Sequence, residues 1–483
     1  QIDFAPPPTH VYDVADEVSG SRLKRMGRLG WLSRKSVPLA IARMRGLAAA
    51  AGPLDAKAVA KHAAAAREIL ATLGDMKGLA LKLGQMLSYM DGVLPPDVQP
   101  IYRETLAALQ AAAPPMPFQA VAKVIEAELG PLERTFAHVD AEPLAAASIG
   151  QVHRAVLRDG SEVAVKVQYP GIDSAMGADL ANLATLRRLV APRMLLGGGN
   201  PTIAWSGEIL EELRSRLLEE LDYEHEAAMQ VRFARILEDV EEIRVPRVIE
   251  HASARRVLTT ELAHGRTLQE VAEQDSQEER DRWGTALVRG ISTTLYGHGL
   301  LYADPHPGNY LFADDGRVVW LDFGCVKEMP ERRRADMRRY LSCAIRATRT
   351  GDPADWAAFD RAIQDALHLD PSQPTVYAAA REFLLYCLRP LVEDRDFEFT
   401  PEFTAGTFEI VLEAKKKTVL RKGVPKIEDV PRIPADYTFM NRLQWGFYSV
   451  LTTLRARVNW HRQLPAEVHA MAAAAAATDQ RSA

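Results

Sequence analysis

The chain has 483 residues, 47% hydrophobic and 25% charged, enough for two or three domains with ample cores. Its 59 basic and 64 acidic residues leave a net charge of −5, which argues against a general nucleic-acid binder. Cys325, Cys343 and Cys387 show no metal or redox spacing, and no apolar run approaches the roughly 18 residues of a membrane span. With no signal-peptide pattern at the N-terminus, the expectation is a reducing, cytoplasmic setting and no transmembrane segment.

Residues 1–20 are Pro-rich, then acidic, and read as a loose arm. From Arg22 to Arg45 the balance reverses, with Arg and Lys among Leu23, Met26, Leu29, Trp31 and Leu32 and no acid at all. Such a stretch can make peripheral contact with an anionic membrane or dock on a partner. It can equally pack back on its own domain, which Gly27, Gly30 and Pro38 favour by interrupting a long helix. Asp55–Met90 reads as an Ala-rich helix with apolar residues at helical spacing. Gly84 inside it costs about 1 kcal/mol against Ala, which suggests close approach of another backbone. Lys82 and Gln85, three apart, share a face. Val98–Ala111 and Phe118–Leu129 read as further helices.

A β-rich region follows. Ala145–Val152 leads into His153–Leu157, an Asp159-Gly160 turn and Glu162–Gln168. Against the kinase phosphate loop G-x-G-x-x-G-x-V, Ala145 and Ala147 stand at the first two glycines, and Gly150 and Val152 at the third glycine and the valine. The strand lysine falls on Lys166. Ala at the loop positions adds a Cβ where backbone would approach phosphate, so nucleotide should be cradled differently. Asp179–Val190 and Ser206–Leu237 read as helices, the second carrying the acidic run Glu219–Glu226. One of these acids should pair with the strand lysine if the fold is kinase-like. Arg256–Leu262 reads as a strand, Glu261–Gly265 as a hinge, and Gln277–His298 as a long helix.

That helix delivers Leu301–Val326, the most informative stretch. Asp304, Asn309 and Asp322 (opening Asp322-Phe323-Gly324) are flanked by the apolar runs Tyr310–Phe312 and Val318–Leu321 around Asp314-Asp315-Gly316. The spacing predicts a hairpin that returns Asp322 beside Asn309, so a carboxylate and a carboxamide could share a divalent cation while Asp304 faces a phosphoryl acceptor. Tyr302-Ala303-Asp304 stands where His-Arg-Asp would, so no arginine precedes the acid to receive an activation-loop phosphate. Few residues separate Gly324 from the next helix near Arg332, leaving no long platform for a peptide. Both features argue against a regulated protein kinase.

Taken together, Lys82-x-Gly84-Gln85, the Ala-rich loop to His153, Glu220-x-Asp222 and Asp304–Asn309 with Asp322-Phe323-Gly324 resemble the UbiB (AarF-type) family of atypical kinase-like proteins. The resemblance spans most of residues 75–330. It implies an α+β, bilobal protein kinase-like fold with a small β-rich N-lobe, a helical C-lobe, an added N-terminal helical lid and a C-terminal helical extension. It also implies ATP or ADP with Mg²⁺ as cofactors. Lys166 would contact the phosphates with Glu226 as its helical partner, Asn309 and Asp322 would hold the metal, and Asp304 would stand in the catalytic-base position. Ala145, Ala146, Ala147, Ser148, Gly150, Val152 and Glu261 would border the nucleotide. Lys82 and Gln85 would lie over the site against Glu220 and Asp222, where a peptide substrate would otherwise go. The family's links are to coenzyme Q and isoprenoid-lipid metabolism, often at membranes, so a lipid or quinone-precursor ligand is expected.

Domain boundaries are expected at 1–54 (basic arm), 55–140 (helical extension), 141–264 (N-lobe), 265–467 (C-lobe with its extension) and 468–483 (disordered tail). After Arg332, helices are expected near Asp336–Arg349, Ala354–Leu367, Val376–Leu391, Glu402–Leu420 and Asn441–Val458. The expected function is an ATPase or a small-molecule or lipid kinase. The alternative is a nucleotide-sensing scaffold with little turnover, which the Ala substitutions at 145 and 147 favour and the presence of Asp304 disfavours.

Overall fold

The computed structural model describes residues 116–147, 149–174, 176–177, 220–369, 374–407, 410 and 435–479. The basic stretch 22–45, the helix carrying Lys82 and Gln85, the helices expected at 98–111 and 179–190, and Ser148 lie outside the described residues. The described chain forms two compact units. One comprises the residues up to His225 with Val248–Leu262; the other comprises Glu226–Arg247 and Ala263 onward. The stretch expected as a hinge, Glu261–Gly265, is where the chain passes from one unit to the other.

The first unit is a helix on a sheet. Helix α1 (Phe118–Leu129) buries Ala120, Val121, Val124 and Ile125, one face of a 3.6-residue period. Strands β1 (Phe136–Ala146), β2 (Gly150–Leu157), β3 (Glu162–Gln168) and β5 (Val257–Glu261) form an antiparallel sheet in the order β1-β2-β3-β5. Alternation along β3 sends Val163, Val165 and Val167 into the core, at 1% exposure or less, and leaves Lys166 on the opposite face. Strand β1 was not expected from sequence. It is an edge strand carrying Pro143 and irregular in register, which weakens its alternating pattern; a proline, having no N–H to give a ladder, is tolerated at an edge. Arg256 Nε donates to Glu128 Oε1 at 2.8 Å and ties β5 to α1.

Of the helix expected at Ser206–Leu237, residues 206–219 lie outside the described residues, and the rest contains helix α2 (Tyr223–Ile236). The chain breaks helical geometry at Leu221–Asp222, where Asp222 Oδ1 accepts from the His225 N–H at 3.1 Å, an N-cap contact. Tyr223 N–H is meanwhile drawn to the Arg255 carbonyl at 3.0 Å.

The second unit holds β4 (Ile243–Arg244), β6 (Leu300–Tyr302), β7 (Tyr310–Phe312), β8 (Val318–Trp320) and β9 (Val326–Glu328) among helices. Strands order as β4-β8-β7 in one small sheet and β6-β9 in another. Helices α3 (Leu268–Gln274) and α4 (Gln277–Ile291) each open with a reciprocal capping box, Thr267 with Glu270 and Ser276 with Glu279. The long helix expected to His298 reaches it, with Ser292–Gly297 wound as a π turn. Its last carbonyls are satisfied from α5 (Glu331–Thr350): Arg338 donates to Tyr296 and Gly297, and Arg334 to Gly297, cations placed at a helix C-terminus. Helix α6 (Pro353–Leu367) packs against α5, and Arg346 pairs there with Asp355, both side chains about nine-tenths buried. Burial opposes ionisation of Asp355, but Thr350 and Arg346 outweigh it and hold its carboxyl below the usual range.

Further helices are α7 (Pro374–Val392) and α8 (Ala435–Leu454). The stretch expected as a disordered tail from residue 468 contains helix α9 (Ala466–Asp479), whose Val468 and Ala472 are buried. Ser342 of α5 donates to the Val468 carbonyl at 3.0 Å. The Ala-rich sequence hid this, because small side chains carry little periodic signal yet pack closely against another helix.

Candidate functional site

The Asp304–Asp322 stretch folds as its spacing predicts. Strands β7 and β8 pair antiparallel, Tyr310 opposite Trp320 and Phe312 opposite Val318, around a turn in which Gly316 takes φ +84°. That left-handed conformation is what a glycine supplies without strain. The hairpin returns the chain so that Leu321 N–H donates to the Asn309 carbonyl at 3.0 Å. Asn309 Nδ2 donates to the Asp304 carbonyl at 2.8 Å, which closes the loop between acid and amide and turns Oδ1 away from that carbonyl. His306 shapes the same loop: its Nδ1 accepts from Gly308 N–H at 3.1 Å. Asp322 Oδ1 accepts from Gly324 N–H at 2.9 Å, which fixes the rotation of that carboxylate. Asp304, Asn309 and Asp322 are all half-buried.

Beneath these polar groups lies a floor of rings. Phe323 is fully buried, 5.0 Å from Phe233 of α2 and 5.8 Å from Tyr302. Residues so buried cannot swing, so the loop they anchor is held in one place. Glu226, in the first turns of α2, is 3% exposed and sits beside the Asp-Phe-Gly turn. A Cβ at Gly324 would lie 3.3 Å from Glu226 Oε2 and 3.4 Å from Asp322 Oδ1. Both carboxylates thus border the Asp-Phe-Gly turn. Hard oxygen donors suit Mg²⁺, which relies on one or two carboxylates and fills its shell with waters and phosphate oxygens. Among the described residues no cluster of three or more His, Cys, Asp or Glu forms a metal site, so a cation held by Asn309 and Asp322 would need those outside oxygens.

In the first unit, Lys166 lies opposite Val152 on β2 and Leu258 on β5. Its Nζ stands 5.1 Å from the centre of the Tyr223 ring, a cation–π contact that limits where the ammonium can go. Ala145 and Ala146 pair with Val152 and Gln151, and Ala147 N–H donates to the Gly150 carbonyl at 2.9 Å. The Ala-rich stretch is therefore the end of a tight hairpin rather than an open glycine loop. Gly150 has a packing reason of its own: a Cβ there would collide with the Val167 carbonyl oxygen. Glu261 ends β5 opposite Val163, Glu220 is half-buried just ahead of α2, and Asp222 caps that helix.

Sequence reasoning missed Tyr223 and Phe233, whose importance comes from what they touch. An aromatic embedded in the acidic run Glu219–Glu226 was the available signal for Tyr223.

Comparison with known proteins follows this geometry. A family model described as the ABC1 atypical kinase-like domain matches residues 108–351, which include Lys166, Glu226, Asp304, Asn309 and Asp322. The chain is 35% identical over 268 residues to a Dictyostelium discoideum protein named "Probable serine/threonine-protein kinase abkA", covering 52% of this chain and 45% of that one. It is 36% identical over 264 residues to the Rattus norvegicus mitochondrial atypical kinase COQ8B, covering 54% and 48%. The chain thus spans about half the length of these curated relatives. Among solved structures it resembles Mycobacterium tuberculosis Rv3197 in complex with erythromycin, with a TM-score of 0.55 and 30% identity across 83% of this chain and 94% of that one. Among the described residues no helix is long and apolar enough to cross a membrane. The chain belongs to the ABC1 atypical kinase-like family.

Proposed function

We propose that this protein binds ATP or ADP with Mg²⁺ and transfers the terminal phosphoryl group to water or to a small, lipid-like acceptor in quinone or isoprenoid-lipid metabolism. The observation that carries the reading is the hydrogen-bonded closure of Asp304, Asn309 and Leu321, which gathers one acid, one amide and the next acid onto a rigid floor. When bound, Mg²⁺ offsets the charge of the phosphate oxygens. Asn309 and Asp322 would hold it, and Lys166 supplies a second cation for the phosphates. Asp304 orients the acceptor hydroxyl and takes its proton as the new O–P bond forms; the bond to the departing ADP oxygen breaks, and the proton passes to solvent. Only three residues of β9 and the pair Met329-Pro330 separate the Asp-Phe-Gly turn and Cys325 from α5, which supports a small acceptor over a peptide. The relative solved with erythromycin supports a small-molecule ligand as well.

The tight Ala147–Gly150 hairpin favours a second reading, a nucleotide sensor whose Lys82–Gln85 segment switches partner binding with little turnover. Phosphate release and nucleotide affinity, measured for the parent and Asp304→Asn, separate the two. An enzyme loses roughly 10²–10⁴-fold in kcat and keeps its affinity. A parent that binds nucleotide without releasing phosphate, with and without lipid vesicles, is a sensor. A parent that binds none refutes both, and transfer of labelled phosphate to added proteins would reinstate a protein kinase.

A further inference from the structure

The floor of the site is not made of hydrocarbon alone. Tyr302, Tyr310 and Trp320 come from strands β6, β7 and β8, and each is at most 1% exposed. Their ring centres lie 5.0 Å (Tyr302–Trp320), 5.8 Å (Tyr310–Trp320) and 6.1 Å (Tyr302–Tyr310) apart, so they form one cluster. Among the described residues, neither tyrosine hydroxyl nor the Trp320 indole N–H has a hydrogen-bond partner. The neighbouring Phe233 and Phe323 show that this layer accepts plain rings.

Burying a polar group with nothing to bond typically costs about 1–3 kcal/mol, and here three such groups occupy one cluster. Proteins meet that cost with an ordered water when the groups surround one point, because a buried water needs two to four polar partners. Tyr310 adjoins Asn309 in the chain, and Tyr302 stands two residues before Asp304. Burial raises Tyr302 well above the ordinary tyrosine pKa, and Tyr310, Asp322 and Asp304 add to the rise. Burial and Asp304 do the same to Tyr310. Asn309, close to Tyr302, opposes that rise.

We propose that Tyr302 and Tyr310 are positioning residues, their hydroxyls and the Trp320 N–H enclosing one ordered water that braces Asp304 and Asn309 from the core side. The positioning role rests on the phosphoryl-transfer reading; the enclosed water does not. Both tyrosines act through other groups and touch no substrate.

The test uses Tyr302→Phe, Tyr310→Phe and the double variant in the full chain, which keep the rings and remove the hydroxyls. Urea unfolding followed by hydrogen exchange in second-unit peptides reads the water. Each single variant should lower the midpoint, and the double should lower it by less than the two together, because either change already disrupts the shared water. Midpoints unchanged or raised overturn the proposal, since a hydroxyl with nothing bonded to it is no loss. Purely additive losses overturn it too. Phosphate release and Mn²⁺ binding with a non-hydrolysable ATP analogue, read by electron paramagnetic resonance, test the positioning. The expected result is a roughly tenfold fall in kcat with KM changed less than twofold, and Mn²⁺ affinity weakened severalfold. Shared loss of stability with kcat and Mn²⁺ affinity intact leaves a structural water and overturns the positioning role. A parent that neither binds Mn²⁺ with nucleotide nor releases phosphate sinks the phosphoryl-transfer reading alone, and the midpoints still decide the water. Should the double variant not fold, Tyr302→Phe combined with Asp304→Asn supplies the same coupling measurement.

Discussion

The two units carry their polar residues by different physical means. In the first, Lys166 is placed by strand register: β3 alternates, its valines fill the core, and the lysine faces the other way. In the second, Asp304, Asn309 and Asp322 stand on loops and three-residue strands that could not hold a shape alone. Buried rings and backbone hydrogen bonds hold them instead. A sheet thus spreads the task of positioning over many equivalent pairs, whereas the second unit concentrates it in a few side chains.

The largest test of that contrast is Phe323→Ala. Removing a fully buried ring should cost about 3–5 kcal/mol and loosen the Asp304–Asp322 loops with it. Hydrogen exchange should accelerate across second-unit peptides while peptides from β2 and β3 keep their protection. Equal acceleration in both would show that the units do not hold their residues independently.

Gly150→Ala is the converse. The added Cβ collides with the Val167 carbonyl, a backbone atom that cannot swing aside, so a cost of about 1–3 kcal/mol should fall on the β2–β3 pairing. Exchange in the β3 peptide containing Lys166 is the measurement, and unchanged protection there would refute the account.

The smallest effect is a pH dependence confined to the first unit. His153 is fully buried, Nδ1 2.9 Å from the Asp140 carbonyl and Nε2 3.2 Å from Gln151 Nε2. Burial lowers its pKa below 6.5, against the raising influence of Asp140 and Glu142. The folded state therefore resists the proton that the unfolded chain accepts. The contribution is fully present above pH 6.5 and is lost as pH falls from there through the folded value, by at most about 1.4 kcal/mol per pH unit. First-unit stability measured from pH 7.5 to 5 should fall in that window, and His153→Gln should flatten it.

Local chemistry was enough for the β7–β8 hairpin, because strand-forming runs around Asp314-Asp315-Gly316 allow one register and Gly316 supplies the positive φ. It was enough also for β3 and the side on which Lys166 emerges, since alternation with period two leaves no choice. What local pattern could not determine depends on partners distant in sequence. The break before Tyr223 follows from Asp222 capping the helix and from the Arg255 carbonyl; the tight hairpin at Ala147 and the close approach of Val167 to Gly150 follow from sheet pairing; and the helix at Ala466–Asp479 follows from packing on α5. The ring floor beneath Asp304 is the clearest case. Each aromatic reads in sequence as ordinary core, and only folding brings the rings of Tyr302, Tyr310 and Trp320 into one buried cluster, where solvent no longer offers the polar atom of each a partner.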